Sequence, residues 1–271
     1  MTLLMRSHGS TVRRLTFLSP QLQVAHHLHS SAKAAAAAPG FFELRQSEVR
    51  PPGMRDFSDL VKSHPITAMR PRGIWTTDVG ESMTRVYHLY HWIDYNERDK
   101  QHAAFRQSAE FSDVSRRMAD SVTQESCSIF AEATPMLAAV GLPGMLDYAV
   151  PASASSPPSV GVYELRKYQL KLGYTTVPRF LELYQEGLVD KLAADKSGQS
   201  ELVSLLHSEA GAAPLNTVIE LWRHTSLQGS QISRAASRAA PVWRKAVGDI
   251  AELAVTFNTQ FLRPTEGSPL Q

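Results

Sequence analysis

The sequence predicts an α+β protein made of two tandem ferredoxin-like units. The first observation is a repeat, because residues 42–45 read FELR and residues 163–166 read YELR. A second repeat supports it, since residues 85–90 (RVYHLY) align with residues 217–222 (TVIELW). The hydrophobic periodicity then gives each half the order β-α-β-β-α-β, which is the ferredoxin-like arrangement. Two copies of about 100 residues each indicate a pair of small domains rather than a long repeat array.

The first unit is predicted over residues 41–133. Residues 41–49 alternate between apolar and polar side chains as a strand does, and the run PPG ends the strand. Asp94 can cap a long helix, because Glu97 stands three residues further on and completes a capping box. The other elements are a short helix at residues 54–61 and strands at residues 73–79, 83–92 and 125–133.

The second unit is predicted over residues 161–263, with the same order of elements. A polar helix that begins near Ser226 is predicted to break or kink near Pro241, because proline removes a helical hydrogen-bond donor. The other elements are a long helix at residues 177–193 and strands at residues 162–171, 201–207, 215–223 and 254–262.

The segments after each unit are predicted to be irregular. Residues 134–160 hold five prolines and a Ser/Ala run, which is typical of a linker. Its apolar stretches, residues 136–140 and 145–148, are expected to dock only weakly on one unit. Residues 264–271 are predicted to be a disordered tail. Cys127 is the only cysteine, which excludes an internal disulfide, and it is predicted to be a small buried strand residue.

The composition of residues 1–40 predicts a mitochondrial transit peptide. The segment has four basic residues and no Asp or Glu, so the net charge of +2 becomes −2 without it. The alternative is a disordered N-terminal segment that no import receptor binds. The nearly neutral remainder offers no clustered basic face, so no nucleic-acid partner is expected. No stretch reaches about 18 consecutive apolar residues, so no transmembrane segment is predicted, and peripheral membrane association stays open.

Several short strings, some in the first half and some in the second, carry a family resemblance. They are YELRKY at residues 163–168, VYHLY at 86–90, WIDYNER at 92–98, LNTV at 215–218 and PVW at 241–243. In these strings the chain resembles the NIPSNAP family, and the likeness covers residues 41–133 and 162–262.

The resemblance implies a dimeric-type α/β barrel built from ferredoxin-like units, paired within one chain or by homodimerisation. It also implies a mitochondrial location, in the matrix or associated with the inner membrane, and no established enzymatic reaction. The second copy departs from the family pattern at two positions. Glu220 stands where the first copy has His88, and Ser230 stands where the first copy has Arg98.

Strand phase predicts one candidate site. Alternate residues of a strand share a face, so the charged residues of the repeated strands are expected to meet between the two sheets. The predicted cluster and its aromatic rim are Glu43, Arg45, His88, Tyr90, Glu164, Arg166, Glu220 and Trp222. One interpretation is a small-ligand pocket in which His88 changes charge near neutral pH. The other, which we favour, is an ion-pair network that fixes how the sheets pack.

The resulting functional prediction is a non-enzymatic mitochondrial interaction or scaffold protein with protein partners, in signalling or mitochondrial quality control. A small-molecule binder or oxygenase-like enzyme that uses a cavity between the sheets is one alternative. A subunit of a large mitochondrial assembly, with an exposed apolar patch along residues 136–148, is another. No metal or organic cofactor is predicted, because the histidines outside the leader lack metal-ligand spacing and no glycine-rich phosphate loop occurs.

Overall fold

The structure is a computed structural model, and it describes residues 40–63, 71–151 and 160–271. The predicted transit peptide therefore lies outside the described residues, as does part of the predicted linker. The described residues from Gly40 to Gln271 belong to one compact unit. The domain boundaries at residues 41–133 and 161–263 stay a prediction.

The described residues form a mixed α/β fold of eight strands and seven α-helices. The strands are β1 (Phe41–Val49), β2 (Pro71–Val79), β3 (Arg85–Trp92), β4 (Val122–Glu132), β5 (Val162–Leu170), β6 (Ser200–Gly211), β7 (Thr217–His224) and β8 (Ala254–Pro264). The helices are α1 (Met54–Ser63), α2 (Tyr95–Arg106), α3 (Phe111–Ser121), α4 (Thr134–Ala139), α5 (Thr176–Ala194), α6 (Leu227–Ala239) and α7 (Pro241–Leu253).

The eight strands close into one antiparallel barrel in the order β1-β3-β2-β8-β5-β7-β6-β4. The first and third strands of each half are neighbours, as predicted, with Leu44 opposite Leu89 and Leu165 opposite Leu221. Two further pairings, β2 with β8 and β4 with β6, join the halves and close the barrel. Both halves therefore contribute to a single sheet.

The inside of the barrel is an apolar core. One cluster of buried side chains draws on all eight strands, including Phe42, Leu44, Tyr87, Leu89, Tyr163, Leu165, Ile219 and Leu221. The outer face is also covered, because separate apolar clusters pack β7 against α5 and α7, and β3 against α3. The inner face is thus buried against the opposite wall, and the outer face is buried against helices at β3 and β7 but exposed along residues 255–259 of β8.

Helix boundaries differ from the prediction in the first half and agree with it in the second. The single long helix predicted after Asp94 is wrong, since residues 107–110 separate α2 from α3. The Asp94 cap itself is confirmed, because its side chain accepts a hydrogen bond from the backbone N–H of Glu97 at 2.7 Å. Pro241 ends the polar helix as predicted and begins α7.

The linker and the tail are more ordered than predicted. Met145 is completely buried in the core inside the barrel, so the expectation of weak docking for residues 145–148 is wrong. Leu270 lies in the same core. Tyr163 Oη and Arg223 Nε both donate hydrogen bonds to the carbonyl oxygen of Gln271. The prediction of a disordered tail at residues 264–271 is therefore also wrong.

Candidate functional site

The charged residues predicted to form a site lie on the outer face of the barrel, beneath the helices. On β1, Phe42 and Leu44 belong to the core inside the barrel, so Glu43 and Arg45 point outward. The prediction of one polar cluster between two sheets is therefore wrong. The structure divides the six polar residues between the halves, with Glu43, Arg45 and His88 in the first and Glu164, Arg166 and Glu220 in the second.

Glu43 is the centre of the Glu43 network, and its carboxylate is fully buried. It accepts hydrogen bonds from Arg45 Nε at 2.5 Å, from Arg98 Nε at 2.6 Å and from Trp92 Nε1 at 3.1 Å. Burial alone would raise the pKa of this carboxyl, but the two guanidinium groups outweigh burial and hold the pKa below its ordinary value. Glu43 is therefore a buried, paired anion.

His88 lies next to this network and is not a charge switch at neutral pH. Its Nδ1 lies 3.2 Å from Tyr90 Oη, and its ring packs near Phe57. Complete burial, reinforced by the positive charge of Arg45, lowers the pKa of His88 to about 4. Burial thus favours a neutral ring near pH 7 and does not support the predicted change of charge there.

Glu164 is the centre of the Glu164 network in the second half, and it has more partners than Glu43. Its carboxylate accepts hydrogen bonds from Arg166 Nε at 2.8 Å, Arg166 Nη2 at 2.9 Å, His224 Nε2 at 3.1 Å and Thr259 Oγ1 at 2.6 Å. Arg234 Nη2 also donates to it. Burial alone would raise the pKa of Glu164, but the His224 hydrogen bond and the Arg166 charge hold it far below its ordinary range.

Glu220 extends the Glu164 network towards the helices. Its Oε2 accepts a hydrogen bond from Trp222 Nε1 at 2.6 Å and lies 3.5 Å from Arg166 Nη1. Its other oxygen, Oε1, is buried and has no hydrogen-bond partner among the described residues. Burial, followed by the charge of this carboxylate, raises the pKa of the nearby Tyr168 and Tyr184 hydroxyls.

The two networks place their donors at equivalent positions. Trp92 and His224 both end the third strand of their half, and each donates to the buried glutamate of the first strand. Arg98 of α2 and Arg234 of α6 supply the helical guanidinium in the first and second half. The departure at Ser230 is thus compensated one helical turn later, by Arg234.

A groove opens between α6, α7 and β8 next to the Glu164 network. This α7 groove has a volume of about 620 Å³. Its polar end holds Glu164, Arg166, Arg234 and Arg238, and its apolar wall is formed by Trp243, Val247, Ile250, Val255 and Phe257. A smaller space of about 250 Å³, the Lys191 pocket, adjoins it. The two spaces share Arg166, Arg234, Arg238, Trp243 and Val247.

Lys191 lies at the inner wall of the Lys191 pocket and is only 3% exposed. Its Nζ lies 3.6 Å from the centroid of the Trp222 ring and 5.1 Å from that of the Trp243 ring. Burial, followed by the positive charge of Arg166, lowers the pKa of this amine to about 7. The neutral amine is therefore more populated at Lys191 than in an exposed lysine.

The first half has a cavity of about 340 Å³ at the corresponding place. This His88 pocket is lined by Arg45, His88, Tyr90, His102, Phe105, Arg106, Phe111 and Glu125, among others. Tyr90 borders it as predicted, whereas Trp222 lies under Lys191 in the second half. The aromatic rim predicted for one site is therefore also divided between two.

Sequence reasoning missed Lys191 and Arg234. A signal for Lys191 exists, because it follows Tyr184 and Leu188 at intervals of seven and three residues and so shares their apolar helix face. Arg234 belongs to a polar helix and carries no comparable signal. Cys127 is half-buried rather than fully buried, and burial raises the pKa of its thiol to about 11.

The closed barrel with its outer helices defines a class of mixed α/β proteins. A solved structure of an anthrone oxidase-like protein has this fold, with a TM-score of 0.55 over 86% of this chain and 94% of that protein. At 11% sequence identity, the likeness shows the fold alone. Among the described residues, no helix is long and apolar enough to cross a membrane.

The chain belongs to the NIPSNAP family, whose model matches residues 42–136 and 163–269. It is 27% identical to Protein NipSnap homolog 3A of Homo sapiens over 237 residues, which covers 85% of this chain and 86% of that protein. It is 28% identical to Protein NipSnap homolog 3B of Mus musculus over 239 residues, with the same coverage. The resemblance inferred from the repeated strings is thereby confirmed.

Proposed function

We propose that this NIPSNAP-family protein binds a small molecule with one anionic group and an apolar body, and that the α7 groove is the binding site. The observation that carries the proposal is the division of the groove into a basic end and an apolar wall. Ligand sites of this kind combine mostly apolar walls with a few polar groups that fix orientation. The site lies outside the barrel, whose interior is filled with side chains.

The charge balance favours an anion. The groove and the Lys191 pocket are lined by Arg166, Lys191, Arg234, Arg238 and Arg244, and the one carboxylate among their lining residues is Glu164. Glu164 is already paired with Arg166 and Arg234. Arg238 and Arg244 have no ion-pair partner among the described residues. A carboxylate that enters the groove would therefore meet two uncompensated guanidinium groups.

The apolar wall favours an alkyl or aromatic body attached to that anion. Val255 and Phe257 of β8 are exposed to solvent, and Val247 and Ile250 of α7 face the same space. Covering such surface is favourable by roughly 25 cal/mol per Å². A hydrophilic anion such as sulfate would leave this surface wet, so an amphipathic ligand fits the groove better.

The experiment is a calorimetric titration of the full chain with octanoate, and with octylamine as the control of opposite charge. We expect octanoate to bind and octylamine not to bind. Arg238→Gln removes a charged hydrogen-bond donor, worth about 1.5–3 kcal/mol, so the Kd should rise roughly 10- to 100-fold. Arg116→Gln, on the exposed face of α3, is the matched control and should not change the Kd. Equal binding of both ligands, or no binding of octanoate, would refute the proposal.

We also propose that the two halves are tandem ferredoxin-like units paired within one chain and that residues 1–40 direct the protein to mitochondria. The strand orders β4-β1-β3-β2 and β8-β5-β7-β6 support the first point, and the acid-free, basic composition of the leader supports the second. Fusion of residues 1–40 to a fluorescent protein tests the mitochondrial location, and a diffuse cytosolic signal would contradict it.

An interaction role is the second candidate function. The turn between β5 and α5 presents Leu172, which is 82% exposed, and Tyr174, which is fully exposed. Two such side chains on one turn support a docking contact with a protein partner or a second copy. Light scattering after size exclusion, on the wild type and on Leu172→Ser, tests the second copy. The same monomer mass for both would exclude homodimerisation through this turn.

A further inference from the structure

Within the part of the chain that the structure describes, Lys191 is buried without the ion-pair partner that a buried structural lysine normally has. Its side chain is almost completely buried, yet no carboxylate among the described residues forms an ion pair with it. Buried charges are ordinarily paired, because a lone one is strongly destabilising. The amine instead lies against the Trp222 ring and borders a pocket that opens to solvent beside α7. It is thus a buried amine with access to a ligand.

The groups around Lys191 disfavour its protonation more than they favour it. Arg166 on β5 lowers the pKa of the amine, and Glu220 on β7, Glu164 on β5 and Asp195 after α5 raise it by smaller amounts than burial lowers it. The pocket adds three further cations, Arg234 and Arg238 from α6 and Arg244 from α7. The neutral amine, which is a nucleophile, is therefore well populated at neutral pH.

We propose that Lys191 captures the carbonyl group of an oxo acid covalently, as an imine, while the arginines of the pocket hold the carboxylate. The inference rests on the proposed function, because it assigns the ligand of the α7 groove to carboxylates that also carry a ketone or aldehyde. The groove would accept the alkyl or aromatic body, and the Lys191 pocket would accept the reactive end.

The chemical step balances without an added oxidant or reductant. The lone pair of the Lys191 nitrogen forms a C–N bond to the carbonyl carbon, and the carbonyl oxygen takes up a proton as the nitrogen loses one. The C–O bond then breaks, water leaves with the second amine proton, and a C=N bond remains. Glu220 suits the transfer of these protons, because it is the carboxylate that acts most strongly on Lys191 and its Oε1 has no hydrogen-bond partner among the described residues.

The test uses 2-oxooctanoate as the probe and octanoate as the matched ligand without a reactive carbonyl. The full chain is incubated with either ligand and reduced with sodium cyanoborohydride, and the modified residue is located by peptide mass spectrometry. We expect a stable adduct on Lys191 with 2-oxooctanoate and none with octanoate. An ordinary lysine is neutral about 10³-fold less often at pH 7, so Lys191 should dominate the labelling.

Two variants and a pH series sharpen the result. Lys191→Met removes the amine and should abolish the adduct, whereas Lys196→Met, an exposed lysine just beyond α5, should not. The initial rate of labelling at Lys191 should rise with pH with a midpoint near 7. If Lys191→Met fails to fold, the map of the wild-type adduct decides alone.

The outcomes separate the two proposals. Binding of octanoate with no adduct, or with adducts spread evenly over exposed lysines, would overturn the covalent capture and leave the proposed function intact. Failure of both ligands to bind in calorimetry would overturn both. An adduct confined to Lys191 supports both.

Discussion

Replacement of Glu164 with glutamine removes the one negative charge that holds Arg166, Arg234 and His224 together beneath the helices of the second half. Arg166 and His224 are buried, so neither can reach water when its partner disappears. Loss of one member of a buried ion pair typically costs 3–5 kcal/mol, and Arg166 would keep only its longer contact of 3.5 Å with Glu220. We therefore expect Glu164→Gln to lower the free energy of unfolding by about 3–5 kcal/mol.

Glu43→Gln is the matched control, since Glu43 is equally buried and also binds two arginines. Those arginines are 22% and 26% exposed, so they can turn towards solvent once the charge is gone. Only the charged hydrogen bonds are then lost, and we expect a decrease of about 1.5–3 kcal/mol. Urea unfolding of both variants at pH 7, followed by tryptophan fluorescence, measures the difference. Equal losses, or a loss below about 1 kcal/mol for Glu164→Gln, would refute the reasoning.

The pH dependence gives an independent check on Glu164. Its folded-state pKa lies far below the ordinary glutamate value of about 4.3, so its contribution is fully present above that value. As the pH falls below about 4, the unfolded chain takes up the proton first, and the contribution is progressively lost. The stability difference between wild type and Glu164→Gln should therefore shrink on acidification. A difference that stays constant from pH 7 to pH 3 contradicts this assignment.

Three further predictions concern packing and charge in the described residues. Lys191 has a folded-state pKa of about 7 against 10.5 for the free side chain, so the folded state binds fewer protons than the unfolded state between these pH values. The free energy of unfolding of the wild type should therefore rise by about 5 kcal/mol relative to Lys191→Met from pH 7 to pH 10.5, as measured by urea unfolding at each pH. Met145→Ala should cost about 2–5 kcal/mol in thermal or urea unfolding, because the side chain fills the barrel core, whereas the exposed neighbour Leu146→Ala should be nearly neutral. Gly187→Ala would bring a Cβ to 2.6 Å from the Cβ of Ala246, so the packing of α5 on α7 should loosen at a cost of about 1–3 kcal/mol; a stabilised variant in calorimetry would show that the helices can separate without penalty.

Much of the fold follows from residue order, and the location of the site does not. The order β-α-β-β-α-β predicts that the first and third strands of each half are neighbours, and β1 does pair with β3 and β5 with β7. Alternation, however, only assigns residues to two faces, and it cannot tell which face turns inward when both are buried. Glu43 and Glu164 were therefore correctly grouped with their arginines and placed on the wrong side of the sheet.

The features of the site that were missed depend on contacts between distant elements. Lys191 on α5 meets Trp222 of β7 and Trp243 of α7, and no local pattern encodes that meeting. The same limit applies to Met145, whose segment has the composition of a linker although it fills the barrel core. Composition indicates whether a segment can be exposed, and the available space in the barrel decides whether it is.

The way the barrel closes also makes this chain suitable as a two-fragment reporter. A cut between Pro151 and Val160 would leave one edge of β2 and one edge of β4 unpaired on the first fragment. It would leave one edge of β8 and one edge of β6 unpaired on the second. Unpaired strand edges readily form hydrogen bonds with other strands. Here the edge of β2 matches that of β8, and the edge of β4 matches that of β6, in register. Fragments fused to two interacting proteins should therefore reassemble when brought together, and tryptophan emission would report the event.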